Sequence, residues 1–92
     1  MLYLIAYDIT NAKRLRKVAR ICEDFGVRLE RSVFECYLGI SDFSKMWKKL
    51  EEVVADSCGD QVVAYPIGKV HEDDIRVLGV ERMHWHRNTM VF

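Results

Sequence analysis

The sequence holds few of the residues that interrupt or loosen a chain. Among its 92 residues there are one proline and five glycines, and they do not gather into a linker or a repeat. At this length a single hydrophobic core is normal, so we expect one domain. Half of the residues are hydrophobic and 30% are charged, which excludes a disordered tail and a low-complexity linker.

Long apolar segments are also missing. No apolar run approaches the roughly 20 residues that a membrane helix needs, so we expect no membrane partner. The opening MLYLIAYDIT has no basic leader and is interrupted by Asp8, which is not the pattern of a signal peptide. The expected location is therefore the cytoplasm.

Cysteines are few and do not form a recognisable framework. Cys22, Cys36 and Cys58 are an odd number without a CxxC spacing, so we expect buried or half-buried thiols rather than disulfides or a structural zinc site. The sequence also contains no Walker loop, GxGxxG, GxSxG or HExxH motif. Hypotheses of nucleotide binding or of the common hydrolase mechanisms therefore lack their usual support.

Opposite charges cancel over the whole sequence, whose formal net charge is zero. Their distribution is uneven, because residues 1–50 carry ten Lys/Arg and six Asp/Glu while residues 51–92 carry four and eight. Binding depends on the local potential rather than on the total charge, so a neutral chain can still present a basic surface.

The first half of the chain alternates between strand and helix patterns. Residues 2–9 form an apolar run that is ended by Tyr7-Asp8, which is typical of a strand buried on both faces. Thr10 or Asn11 is placed to cap the helix that follows, and Gly26 is placed to end it. Residues 27–38 are rich in β-branched and aromatic residues but long for one strand, which predicts two strands with a break near Arg31-Ser32.

The second half repeats this alternation. Ser41 is placed to cap a second helix, which the pair Cys58-Gly59 interrupts. Three later apolar segments are candidate strands: residues 61–65, 75–78 and 89–92. Pro66 is expected to stop the first of them, because proline cannot donate to a β-ladder.

The resulting order is β-α-β-β-α-β with a C-terminal extra strand. It predicts an α+β, ferredoxin-like fold in which two helices pack on one face of an antiparallel sheet. We expect the ferredoxin-like domain over residues 1–79 and a C-terminal extension over residues 80–92. Nothing is left in the sequence to cover the other face of the sheet, so we expect a homodimer whose sheets stack on each other.

Carboxylate and imidazole groups give two candidate metal sites. Asp8 ends the first strand directly before a loop and a helix start, which is a common setting for a metal or a polar substrate. Mg²⁺ often takes only one or two carboxylates, and a twofold dimer would supply two copies of Asp8. The alternative is that Asp8 only caps the loop or the helix. His84 and His86 flank Trp85, but two histidines alone are an incomplete transition-metal site.

Basic residues concentrate at the start of the first helix. Four cations lie within its first two turns: Lys13, Arg14, Arg16 and Lys17. The helix macrodipole disfavours cations at this end, which suggests an anion outside the protein. Phosphate fits, because arginine offers it bidentate donors, and Arg28 and Arg31 add to the same field. The alternative is an ordinary solvated helix face.

Three segments together resemble a known family. The start LYLIAYDIT, the helix KRLRKVARICEDFG and the hairpin GVRLERSVFECYL are similar to the CRISPR-associated protein 2 family, the small subunit of the prokaryotic spacer-acquisition machinery. The match covers about residues 2–38 in motif detail, and the strand QVVAYPIG extends it to about residue 79. The combination of YD, a short loop, a basic helix start and a GxRxxxSVFE hairpin carries the resemblance. The tail from Val80 departs from the family pattern.

The resemblance implies a homodimer whose C-terminal strand crosses onto the partner's sheet. It implies an endonuclease that depends on Mg²⁺ or Mn²⁺ and acts on single-stranded RNA or double-stranded DNA. The alternative function in the same family is a non-catalytic scaffold that holds duplex DNA between two dimers of a CRISPR-associated integrase. A third class, a ferredoxin-like regulator of small molecules, predicts no nucleic-acid affinity.

The resemblance also assigns roles to residues. It implies that Asp8 is a metal ligand, and it places the catalytic site at Asp8, Tyr7, Arg14, Arg16, Arg28 and Phe34. The nucleic-acid contacts would come from Lys13, Arg14, Arg16, Lys17, Arg28 and Arg31. No general base is recognisable in the sequence, so turnover is expected to be slow.

Overall fold

The first strand lies inside the sheet and pairs on both sides. In the computed structural model, which describes residues 1–79, β1 (Leu2–Asp8) pairs antiparallel with β3 (Val33–Tyr37) and with β4 (Gln61–Ile67). A short strand β2 (Val27–Glu30) pairs antiparallel with β3, so the order across the sheet is β2-β3-β1-β4. The β-α-β-β-α-β order and the antiparallel sheet confirm the predicted ferredoxin-like fold.

Two helices, α1 (Ala12–Phe25) and α2 (Ile40–Val53), pack against each other and against the sheet. Side chains alternate along a strand, so every second residue of β1 and β3 points at these helices. The core between the two layers consists of Ile5, Tyr7, Ile9, Val18, Cys22, Phe34, Cys36, Leu38, Met46 and Leu50. The apolar face of each helix is therefore buried against the sheet.

The start and end of α1 follow from local chemistry. Asn11 caps the helix, because its Oδ1 accepts a hydrogen bond from the backbone N–H of Arg14 at 2.9 Å. Gly26 ends the helix in extended backbone. A β-carbon at Gly26 would collide with the carbonyl oxygen of Glu35 and with Sγ of Cys36. The close approach of β3 is thus the reason for glycine at this position.

The cysteine prediction is confirmed for two residues of three. Cys22 on α1 and Cys36 on β3 are fully buried, and burial raises the pKa of each thiol to about 12 because a thiolate is poorly solvated in the core. Cys58 is exposed instead. It lies in a short 3-10 turn, Asp56–Cys58, on the surface between α2 and β4.

The second half departs from the sequence prediction at the ends of its elements. Gly39, without a side-chain hydrogen bond, is the N-cap of α2, so Ser41 is not the cap. The helix ends at Val53, before the Cys58-Gly59 pair. The prediction that Pro66 stops β4 was wrong, because the strand continues to Ile67. In the described sheet β4 is an edge strand, where a missing N–H is tolerated.

The prediction of a strand at residues 75–78 was also wrong. A single helical turn, α3 (Lys69–Glu72), follows β4, and residues 75–78 form no regular secondary structure. A strand exists only where a neighbour accepts its hydrogen bonds, and none in residues 1–79 does so. The candidate strand at residues 89–92, the histidines His84 and His86, and the whole predicted extension lie outside the described residues.

The face of the sheet that is turned away from α1 and α2 is largely apolar. We call it the helix-free face. Leu4 and Ala6 of β1 point to it, together with the residues that lie opposite them in register: Val33, Val63, Tyr65 and the buried carboxylate Glu35. Tyr65 is 53% exposed, as expected for an uncovered aromatic ring. Among the helices of residues 1–79, none is long and apolar enough to cross a membrane.

Candidate nucleic-acid and metal site

The end of β1 carries the candidate metal ligand. Asp8 is exposed, lies opposite Gln61 at the start of β4, and its carboxylate makes no hydrogen bond or ion pair within residues 1–79. On the other side of β1, the backbone N–H of Tyr7 donates to the carbonyl oxygen of Ser32 in the β2–β3 turn at 3.1 Å. Asp8 therefore lies between this turn and the start of β4. We call this end of the sheet, where β1 finishes, the Asp8 edge; the name does not refer to the edge strands β2 and β4.

Alternation along β1 decides which way the two motif residues face. Tyr7 points to the helix side and is packed in the core, so Asp8 points to the helix-free face. Its even-numbered neighbours Leu4 and Ala6 point to the same face. The carboxylate thus borders the apolar surface that the sequence predicts to be a dimer interface.

Four of the predicted site residues form one cluster beside the Asp8 edge. The carbonyl oxygen of Arg31 accepts two hydrogen bonds, one from the Tyr7 hydroxyl at 3.1 Å and one from Nη1 of Arg28 at 2.7 Å. Nη2 of Arg28 donates to the Glu23 carboxylate at 3.1 Å. The Arg28 guanidinium also lies over the Phe34 ring, with Cζ 4.9 Å from its centroid.

Within this cluster only the arginines reach solvent. Phe34 is fully buried and Tyr7 is nearly so, whereas Arg28 and Arg31 are exposed. Burial raises the pKa of Tyr7, so its hydroxyl keeps the proton that it donates to Arg31. Tyr7 and Phe34 therefore hold the turn and the Arg28 guanidinium in place, and a ligand would meet the two arginines.

The cations of α1 fall into two environments. Lys13, Arg16 and Lys17 are exposed, whereas Arg14 is half-buried. With Arg20, the exposed residues occupy positions i, i+3, i+4 and i+7, which share one face of a helix. We call Lys13, Arg16, Lys17 and Arg20 the basic row. Arg14 instead forms an ion pair inside the protein.

The partner of Arg14 is Asp60, a residue that the sequence did not indicate. Its side chain is fully buried, and Oδ2 accepts from Nε of Arg14 at 2.7 Å and from the backbone N–H of Ala55 at 3.0 Å. Oδ1 receives longer contacts of 3.4 Å from Nη2 of Arg14 and from the backbone N–H of Thr10. The sequence held one indication that such a partner exists. The first turn of α1 contains no acidic residue of its own, although the helix dipole favours a negative charge at this end.

The Asp60 pair predicts a specific acid dependence of stability. The hydrogen bond from Arg14, with that from Ala55, lowers the pKa of Asp60 from its usual 3.8 to about 2. Because the pKa is depressed in the folded state, the stabilisation is complete above pH 4 and is lost as the pH falls from about 4 to about 2. We expect Asp60→Asn to lower the melting temperature by several degrees at pH 7 and by less near pH 2.

Thermal melts followed by circular dichroism between pH 7 and pH 2 would measure this. The control is Asp56→Asn, which removes an exposed carboxylate from the neighbouring turn. If Asp60→Asn and Asp56→Asn changed the melting temperature equally at pH 7, Asp60 would not be the stabilising acid.

The chemistry of Asp8 indicates which kind of metal this side chain could help to hold. Within residues 1–79, no group of three or more His, Cys, Asp or Glu side chains is placed to hold a metal ion. Asp8 is an exposed carboxylate with both oxygens available, which does not suit a structural zinc site. It does suit Mg²⁺ or Mn²⁺, which can take one or two carboxylates and fill the remaining positions with water and phosphate oxygens.

Comparison with known proteins places the chain in a family. Residues 1–75 match the family model of CRISPR associated protein Cas2. The chain belongs to the Cas2 family. It is 34% identical over 79 residues to CRISPR-associated endoribonuclease Cas2 1 of Chloroflexus aurantiacus, covering 86% of this chain and 85% of that one. It is 31% identical over 86 residues to CRISPR-associated endonuclease Cas2 of Halalkalibacterium halodurans, covering 88% of both.

The fold of the Cas2 family agrees with the described structure. The crystal structure of Streptococcus pyogenes Cas2 at pH 6.5 superposes with a TM-score of 0.74 at 32% identity, covering 86% of this chain and all of that chain. A hypothetical protein from Thermus thermophilus, TT1823, gives the same TM-score and identity over 90% of this chain and 95% of its own. The resemblance carried by the YD, helix and hairpin motifs is thereby confirmed.

Proposed function

We propose that this Cas2 family member acts in CRISPR immunity as a metal-dependent endonuclease, which hydrolyses phosphodiester bonds of single-stranded RNA or double-stranded DNA. The observation that carries the proposal is that Asp8, an exposed carboxylate, ends β1 next to the β2–β3 turn, where Arg31 and the neighbouring Arg28 are exposed. Relatives named endoribonuclease and endonuclease Cas2 support the same activity. A carboxylate for a metal and guanidinium groups for phosphate are the groups that this hydrolysis requires.

The proposal includes a homodimer formed through the helix-free face. This face is apolar around Leu4, Ala6, Val33 and Val63, with the buried Glu35 opposite Leu4, and neither α1 nor α2 covers it. A twofold axis that stacks two such faces would also bring the two Asp8 carboxylates towards each other, because Asp8 borders the same surface. One chain supplies one carboxylate, and the dimer would supply the pair.

The roles of the residues follow from their surroundings. The two Asp8 carboxylates would hold Mg²⁺ or Mn²⁺, which supplies charge neutralisation and a more acidic water when bound. Arg28 and Arg31 would bind phosphate oxygens and stabilise the negative charge that develops on them. Tyr7 would position the turn through its hydrogen bond to Arg31, and Phe34 would position the Arg28 side chain that lies over its ring.

A second function is supported by a different part of the surface. The basic row on α1 presents four exposed cations on one helix face, which suits contacts with successive phosphates of a duplex. In this function the chain is a non-catalytic scaffold for spacer acquisition, which would hold DNA between dimers of a CRISPR-associated integrase. Asp8 would then be dispensable, and affinity would fall steeply with salt.

Cleavage and binding assays on the purified chain would separate the two functions. We expect end-labelled single-stranded RNA or double-stranded DNA to be cut slowly with Mg²⁺ or Mn²⁺ and to stay intact with EDTA. A gel shift in EDTA would measure binding alone. Binding without cleavage in any metal would contradict the nuclease and favour the scaffold. Neither binding nor cleavage at low salt would contradict both and favour a small-molecule regulator.

A further inference from the structure

The Asp60 carboxylate connects three separate segments at the Asp8 edge. Besides Arg14 it receives backbone N–H groups from Thr10, in the loop after β1, and from Ala55, in the segment after α2. It directly precedes Gln61, the residue that lies opposite Asp8 in the sheet. The side chain has no exposed surface, so these contacts replace its solvation by water.

Arg14 is committed to this carboxylate. Its Nε and Nη2 both point at Asp60, and three-quarters of its side chain is covered. Moving the guanidinium out to a phosphate would leave Asp60 buried without its counter-charge, which is costly in a protein interior. No such cost applies to Lys13, Arg16 or Lys17, which are exposed on the same helix.

We propose that Asp60 is a positioning residue that withholds Arg14 from nucleic acid, so that phosphate contacts on α1 are made by the basic row. The proposal rests on the proposed function, in which nucleic-acid phosphates bind this chain. It reassigns Arg14, which motif comparison places among the phosphate ligands, to the internal structure. Asp60 thereby determines which cations of α1 a phosphate can meet.

The salt dependence of binding tests the proposal, because it reports the number of phosphate contacts. A variant that is only less stable, but still folded, keeps the same salt dependence. For duplex DNA, the slope of log affinity against log salt changes by about 0.9 for each contact. We expect Lys17→Gln to make the slope shallower by the amount that corresponds to about one phosphate contact per bound subunit. We expect Arg14→Gln to leave the slope unchanged. Asp60→Asn should free Arg14 and make the slope steeper by one contact.

The double variant Asp60→Asn/Arg14→Gln should return the slope to that of the wild type, which a merely structural role for Asp60 would not produce. The measurement is fluorescence anisotropy with a labelled duplex in EDTA from 50 to 200 mM salt, on variants whose circular dichroism matches the wild type. If Asp60→Asn did not fold, the comparison of Arg14→Gln with Lys17→Gln would decide.

Two outcomes distinguish the failure of this inference from the failure of the proposed function. If the wild type showed no salt-dependent binding, the proposed function would fail and the inference with it. If the wild type bound DNA and Arg14→Gln made the slope shallower by as much as Lys17→Gln, only the inference would be overturned. Arg14 would then leave Asp60 to contact phosphate.

Discussion

Replacing Asp8 with asparagine should lower metal-dependent cleavage by about 100-fold or more and leave nucleic-acid binding in EDTA unchanged. Asparagine keeps the size of the side chain but removes the negative charge that a hard divalent cation requires. The loss should be large because a dimer would lose both carboxylates at once. Folding should be unaffected, since the Asp8 carboxylate makes no hydrogen bond or ion pair within residues 1–79.

The matched control for this variant is Asp42→Asn. Asp42 is also exposed, but it lies in the first turn of α2, which follows the end of β3 that pairs with the start of β1. It is therefore at the opposite end of the sheet from Asp8. Initial rates on labelled RNA and duplex DNA with Mg²⁺ or Mn²⁺ would measure both variants. Equal cleavage by Asp8→Asn and the wild type would move the active site away from the Asp8 edge.

The elements that the sequence predicts well are those set by local chemistry. The apolar run of β1, the Asn11 cap and the break at Arg31-Ser32 depend on residues within a few positions of each other. Errors arose where the environment decides. Pro66 is compatible with β4 because that strand is at an edge, and residues 75–78 lack a neighbouring strand in the described chain.

In the candidate site, too, local sequence predicts some features and the folded environment decides the others. The position of Asp8 at the end of β1 could be predicted, because it follows directly from the end of the apolar run. The environment of Arg14 could not be predicted from local sequence, because its partner Asp60 lies 46 residues later in the chain. Four cations in two helical turns look alike in a sequence. Only the fold shows that one of them is neutralised internally and three are exposed.

Ala6→Glu should convert the proposed dimer into monomers. Ala6 is two residues before Asp8 on the helix-free face, so an interface that brings the two Asp8 residues together must also bury Ala6. A glutamate there would place two unpaired carboxylates in an apolar contact. Each costs several kcal/mol, so we expect dimerisation to weaken at least about 1000-fold. Size-exclusion chromatography with light scattering, at concentrations where the wild type is dimeric, would measure this.

The same substitution at Ala12 is the control, because Ala12 is exposed at the start of α1 in the other layer of the molecule. Ala12→Glu should remain dimeric. If Ala6→Glu misfolded, Tyr65→Glu would replace it, since Tyr65 is half-exposed on the same face. A folded Ala6→Glu monomer should also lose cleavage, because each chain would keep its Asp8 but lack the partner's. If Ala6→Glu remained dimeric, the helix-free face would not be the interface. If the monomer still cleaved, one carboxylate would suffice and the shared site would be excluded.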